Sequence, residues 1–188
     1  PDGLAMVVAW SPKADAKQAS DKGSTSNYTS MGSGYDVTAT ITDAMHGVTG
    51  LTAYLGYSHM DQMQDNNDYD DDKEEQTWAI NYAMGGFTVG YQWSEEDLGL
   101  STGAQSYENT GYGITFAVND DLSIGYNNYE SEQDNSTDVT AEASSFQIAY
   151  SMGGASIRLA TASIDNASYQ TTAMYDKDAT TLSISLAF

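Results

Sequence analysis

The sequence predicts an all-β chain: an up-and-down antiparallel sheet of about ten strands that forms, wholly or as a portion, a transmembrane β-barrel. Three observations carry this prediction. Apolar residues alternate with small or polar ones at period two over most of the chain. The connections between alternating segments are short and long by turns. The carboxylates gather in the long connections, so the alternating segments read as almost uncharged.

The first strand is marked by Leu4, Met6, Val8 and Trp10. Tyr35, Val37, Ala39 and Ile41 mark the second, and a turn over 43–47 returns the chain through Leu51, Ala53, Leu55 and Tyr57. Trp78, Ile80, Tyr82 and Met84 then run to Gly85-Gly86, and Phe87, Val89, Tyr91 and Trp93 come back. A two-residue glycine turn between alternating runs is a hairpin signal. The layout recurs 34 residues later: Tyr112, Ile114, Phe116 and Val118 precede Asn119-Asp120-Asp121, and Leu122, Ile124 and Tyr126 follow. Another 34 residues on, Phe146, Ile148, Tyr150 and Met152 lead through Gly153-Gly154 to Ile157 and Leu159. The last strand carries Leu182, Ile184, Leu186 and Phe188. Short turns fall at 43–47, 85–86, 119–121 and 153–154, and long polar segments at 11–27, 60–75, 95–108, 131–142 and 166–177. Tight turns at one end and elaborated loops at the other are the pattern of membrane β-barrels. A soluble sandwich or lipocalin-like barrel would alternate as well, so the two faces must decide.

Composition bounds the alternatives. The 188 residues include 27 acidic and 6 basic ones, a formal net charge of −21. So few cations exclude nucleic-acid binding through a basic face. No cysteine is present, which removes disulfide scaffolds, thiolate metal sites and cysteine nucleophiles. The aromatic content of 11% argues against a charged, disordered chain. No run approaches the ~18 apolar residues that mark a spanning helix. The chain reads as a single unit over 1–188, either a barrel or the C-terminal portion of one.

The interleaved face of the strands is small as well as polar, with Gly56, Ala79, Thr88, Gly90, Gly113, Thr115, Gly125 and Ala160 among its members. A soluble surface would be about a quarter or more charged. Small, uncharged side chains suit a water-filled lumen instead. Asn81, Gln92, Asn127, Gln147 and the only arginine, Arg158, are therefore expected to line a pore. Ile157 and Leu159 beside Arg158 set its register, because an arginine facing lipid near mid-membrane costs about 2–4 kcal/mol. The opposite face is aliphatic in mid-strand and aromatic toward its ends. Tyr57, Trp78, Tyr91, Trp93, Tyr112, Tyr126 and Phe188 are the expected interfacial girdle.

The terminal strand, Thr180 to Phe188 with apolar residues at alternate places and a final Phe, resembles the assembly signal of Gram-negative outer-membrane barrels. Leu182, Ile184, Leu186 and Phe188 carry that signal. With the glycine-turn hairpins and acidic loops, the chain resembles a Gram-negative general diffusion porin of the α-proteobacterial type. The resemblance extends over the whole chain as pattern, and it implies an outer-membrane location, contact with lipid and lipopolysaccharide, a homotrimer, and small hydrophilic solutes as cargo. Such porins have sixteen strands, and ten fit either their C-terminal portion or a complete smaller barrel. Pro1-Asp2-Gly3 reads like an inter-strand turn, which favours the portion. The loop that sets the family's constriction would then lie before this region.

The most conspicuous charge run is Asp61 to Glu75, which includes Asp65, Asp68, Asp70, Asp71, Asp72, Glu74 and Glu75. Asp68, Asp70 and Asp72 have a D-x-D-x-D spacing, but Lys73 and Ala79 stand where an EF-hand loop wants Gly and Glu. No cofactor is expected, and a loose Ca²⁺ or Mg²⁺ site on these acidic loops stays open. His59 and Asp61 on a rim resemble a feature of ten-stranded outer-membrane proteases, but such an enzyme needs further paired carboxylates at defined strand ends, and the surroundings of Tyr57 to Asp61 do not otherwise resemble that family. No enzyme activity is expected. The expected function is a passive diffusion channel for small hydrophilic solutes and ions, cation-preferring through its acidic extracellular loops. The alternative is a non-conducting surface barrel whose long loops serve adhesion or a receptor role.

Overall fold

The structure, a computed structural model, describes residues 1–12, 31–62 and 71–186. Ten strands form one sheet in chain order: β1 (Leu4–Ser11), β2 (Met31–Ile41), β3 (Leu51–Gln62), β4 (Lys73–Met84), β5 (Phe87–Asp97), β6 (Ser106–Ala117), β7 (Leu122–Asp134), β8 (Val139–Met152), β9 (Ala155–Asp165) and β10 (Lys177–Leu186). Every strand pairs antiparallel with the next, as in Tyr91↔Tyr112, Ile114↔Tyr126 and Ile148↔Leu159. All ten strands expected from the alternation are present, in an up-and-down order. The sheet is not closed: β1 and β10 are its two edges. Of the two arrangements the sequence allowed, an open portion of a barrel wall and a closed ten-stranded barrel, the open one is observed.

The short-turn end is built by local chemistry. Gly85 sits at φ +60 in the β4–β5 turn, the left-handed region where a residue with a Cβ is disfavoured. Between β6 and β7 the Asn119 side chain does the equivalent work, its Oδ1 accepting from the backbone N–H of Asp121 and of Leu122, each at 2.9 Å. The β2–β3 turn winds into one helical turn, α1 (Asp43–His46), and then Gly50 at φ +82 runs so close to β4 that a Cβ there would lie 2.1 Å from the Ala83 carbonyl oxygen.

No second layer covers the sheet. Among the described residues only Met60, Gln62, Gly99 and Ser131 are buried, and no large side chain is fully enclosed. Ile114 in mid-sheet is 42% exposed, and on the edges Val8 and Leu182 reach 68% and 63%. An apolar face left open over ten strands is far beyond what a water-soluble monomer tolerates. No helix among the described residues is long and apolar enough to cross a membrane.

The strands are longer than the alternation alone indicated. β3 to β8 have 11 to 14 residues, against the roughly 9–11 that span a bilayer. Their extra length lies at the long-connection end and absorbs much of what the sequence reads as loop. Glu74 and Glu75 belong to β4, Glu95 and Glu96 to β5, Glu108 to β6, and Glu130 and Glu132 to β7. The strands are therefore not uniformly neutral; they carry carboxylates on extensions beyond the apolar band.

Candidate functional site: the polar face of the sheet

Period two assigns each strand residue to a face, and the register aligns those assignments across the sheet. Asn81 of β4 pairs with Gly90 of β5, Gly90 with Gly113 of β6, and Gly113 with Asn127 of β7. All four lie on the small-residue face. There the glycines leave a groove of about 700 Å³ lined by Asn81, Gln92, Asn127, Gln147, Thr88 and Thr115 among others. A Cβ on Gly90 would stand 2.5 Å from Asn81 Oδ1, whereas one on Gly113 would meet only Asn127 Cβ and the Tyr126 carbonyl at 3.5 Å. Gly90 is thus filled by its neighbour's amide, and Gly113 has room for a Cβ at ordinary contact distance. Arg158 occupies the same face in an adjoining cavity of about 340 Å³, beside Gln147, Thr181 and Ser183. The Gln147 Nε2 donates to Asn127 Oδ1 at 3.3 Å, which ties the two amides across β7 and β8.

Toward the long-connection end this face turns acidic. Asp36 of β2, Glu75 of β4 and Glu96 of β5 lie on it, and the first two share a cavity of about 640 Å³ with Glu96 and Asn109. Lys73 reaches both neighbours, 3.0 Å from Glu75 Oε1 and in contact with Glu96 Oε1. One cation thus serves two carboxylates. The alternation reading places Glu75 in a loop and passes over Lys73, because both fall inside a run that looks like continuous polar loop. Tyr54, Tyr107 and Tyr129 also project to this face, so it is less uniformly small than the sequence suggests. The signal was present: each tyrosine is out of phase with the apolar residues of its own strand.

The other face holds Tyr57, Trp78, Tyr91, Trp93, Tyr112 and Tyr126 together. Trp78 pairs with Trp93 across β4 and β5, and Tyr91 with Tyr112 across β5 and β6. Ring centroids lie 5.2 Å apart for Trp78 and Tyr91 and 6.5 Å for Tyr112 and Tyr126. Two residues beyond Trp78 comes Gln76 and then Glu74; beyond Trp93 come Glu95 and Asp97; beyond Tyr112 come Thr110 and Glu108. The apolar band stops abruptly at its aromatic row. At the opposite end Phe87 stacks on Phe116 at 4.2 Å, a second aromatic row that the sequence reading left out of the girdle although Phe87 directly follows a glycine turn. Leu182, Ile184 and Leu186 continue this face onto β10, opposite Leu159, Ile157 and Ala155. Phe188 lies outside the described residues.

On the acidic extension of the apolar face, His59 stacks on Tyr35. Its Nε2 is 3.2 Å from Asp61 Oδ1 and 3.7 Å from Asp72 Oδ2, and its Nδ1 is 3.3 Å from Glu74 Oε1. Ser33 Oγ donates to Asp61 Oδ2 at 2.5 Å, and Tyr57 donates to Glu74 Oε1 at 2.8 Å. The structure thus gathers His59, Asp61, Asp72 and Glu74, whereas Glu75 faces the other way and Asp71 adjoins Gln62, whose Nε2 donates to its carbonyl. Asp65, Asp68 and Asp70 lie outside the described residues.

A single-layer antiparallel sheet with one apolar, aromatic-edged face and one polar, grooved face is a wall of an outer-membrane β-barrel. The family model for Gram-negative porins matches residues 2–168, and the chain belongs to that family. No curated protein matches it. Membership places the protein in the bacterial outer membrane as a porin, a channel class rather than an enzyme class.

Proposed function

We propose that the polar face lines a water-filled pore through which small hydrophilic solutes and ions diffuse, with a preference for cations. The observation that carries the preference is the charge on the strand extensions. Asp36, Glu75 and Glu96 stand on the groove side with Lys73 as the cation among them, and Glu74, Glu95, Glu108 and Glu130 stand on the other side of the same rim. Charged rings at a mouth with low-dielectric walls concentrate counter-ions and lower the barrier for them. Asn81, Gln92, Asn127 and Gln147 supply donors and acceptors that replace lost hydration along the path, and Arg158 sets a positive point nearer the short-turn end. The aromatic rows of Tyr57, Trp78, Tyr91, Trp93, Tyr112 and Tyr126 sit at an interface with lipid and lipopolysaccharide, and Leu182, Ile184 and Leu186 with Phe188 serve as the assembly signal. Porins of this kind generally act as trimers, and a homotrimer is the working assembly here.

Reversal potentials in planar bilayers under a KCl gradient test this reading. The expected sign corresponds to K⁺ passing more readily than Cl⁻. Anion preference would overturn the selectivity, and absence of conductance would favour the surface-barrel alternative.

A further inference from the structure

The connection between β9 and β10 does not stand away from the rim. Its two ends are tied together by the Asn166 backbone N–H, which donates to Asp176 Oδ1 at 3.1 Å. Asn166 Nδ2 donates to the carbonyl of Thr140 on β8 at 2.9 Å. Between these ties Asn166, Ser168 and Tyr169 take φ of 53°, 58° and 56°. None is glycine, and left-handed backbone at a residue with a Cβ persists only where its surroundings hold it.

Tyr169 is what holds them. Its ring lies against Tyr107 of β6 with centroids 5.4 Å apart, and its hydroxyl is 2.7 Å from Ser131 Oγ of β7. Ser131 is buried, and its own proton goes to Asn109 Oδ1 at 2.5 Å, so Tyr169 is the donor to Ser131. Tyr129 donates to the same Asn109 oxygen at 2.7 Å. The result is a chain of side-chain hydrogen bonds running from the connection to two strands of the wall. From β9 to β6 is three strand spacings, about 14 Å at 4.7–4.9 Å each. A segment that leaves β9 and reaches Tyr107 must run across the polar face. There it borders a cavity of about 540 Å³ formed by Tyr107, Asn109, Tyr129, Ser131 and Tyr169, with Glu96 at its margin.

We infer that residues 166–176 form a fixed strap across this wall of the lumen, seated by Tyr169, and that the strap limits the size of solute the pore admits. This rests on the channel reading above, and it assigns to the last connection of the chain a share in setting the passage.

Single-channel conductance in planar bilayers and swelling of proteoliposomes in neutral sugars of graded size test the inference. Four variants are compared with the parent: replacement of 167–175 by Gly-Ser-Gly, Tyr169→Ala, the conservative Tyr169→Phe, which keeps the ring and loses the donor, and Ser131→Ala. Ser131→Ala removes the acceptor without touching the strap. Folding of each is verified by heat-modifiable migration on gels. Strap replacement and Tyr169→Ala are expected to raise conductance and move the exclusion limit to larger sugars, with Tyr169→Phe and Ser131→Ala moving both less in the same direction. A conducting parent with unchanged conductance and exclusion limit in all folded variants overturns the strap. A folded parent that does not conduct overturns the channel reading itself.

Discussion

At the scale of single residues, the groove is set by where side chains are missing. A Cβ on Gly113 would make only ordinary contacts, with Asn127 Cβ and the Tyr126 carbonyl at 3.5 Å, so Gly113→Phe places a ring in the groove without backbone strain. Single-channel recordings are expected to show lowered conductance from a protein that still folds. Gly50 is the opposite case: at φ +82 and 2.1 Å from the Ala83 oxygen, a Cβ has nowhere to go. Gly50→Ala is expected to destabilise the folded protein in detergent by the order of 1–3 kcal/mol assigned to such strained backbone, read as a lower urea midpoint. Lys73 is the third residue whose role is sharp. It lies between Glu75 and Glu96, so Lys73→Gln leaves two carboxylates without their cation. Reversal potentials should shift toward stronger K⁺ preference, whereas Glu75→Gln with Glu96→Gln should shift them the other way. Of these, the glycines were visible in the sequence as members of the small face. Lys73 was not, because one basic residue within a run of carboxylates has no period to betray that it has entered a strand.

At the scale of elements, the hairpin is the unit that repeats, and its reading from sequence was nearly complete. The 34-residue recurrence of Trp78, Tyr112 and Phe146 corresponds to β4, β6 and β8, which occupy equivalent places in successive hairpins. Period two survives here because each strand has lipid-type residues on one side only. It fails at the long-connection ends, where Glu74 and Glu75, or Glu95 and Glu96, are charged on both faces. Beyond the apolar band neither side needs hydrophobic residues, so hydrogen bonding continues the strand with no sequence pattern to announce it. The turn 43–47 hid a helical turn for a similar reason: four residues are too few to show a helical period. The register makes a paired prediction on β6. Ile114→Arg puts a cation on the apolar face and should cost about 2–4 kcal/mol near mid-membrane, read as a lower urea midpoint and reduced folding into vesicles. Thr115→Arg, one residue on, faces the groove and should fold normally. Equal penalties would mean that the faces are misassigned.

At the scale of the whole molecule, the sheet has no interior of its own. In the proposed channel it is a hydrogen-bonded ladder whose apolar face is completed by lipid and whose polar face is completed by water, so composition averages describe it poorly. Of the carboxylates behind the net charge of −21, most of those among the described residues lie toward the long-connection end, on strand extensions as well as loops, while Asp2, Asp43, Asp120 and Asp121 lie at the short-turn end. What the sequence could not reveal is the strap at 166–176, since it depends on Tyr169 meeting Tyr107 and Ser131, residues 62 and 38 positions away. In the proposed channel the small-residue face, and not the aromatic face, meets the aqueous path. The chain contains no cysteine, so single cysteines introduced at consecutive positions on neighbouring strands report on it without background. The most direct measurement is current through the reconstituted protein before and after a charged, membrane-impermeant thiol reagent. Gly113→Cys, Thr115→Cys and Asn127→Cys should react and lose current, while Tyr112→Cys, Ile114→Cys and Tyr126→Cys should not; reaction and block at the second set, with none at the first, would contradict the account.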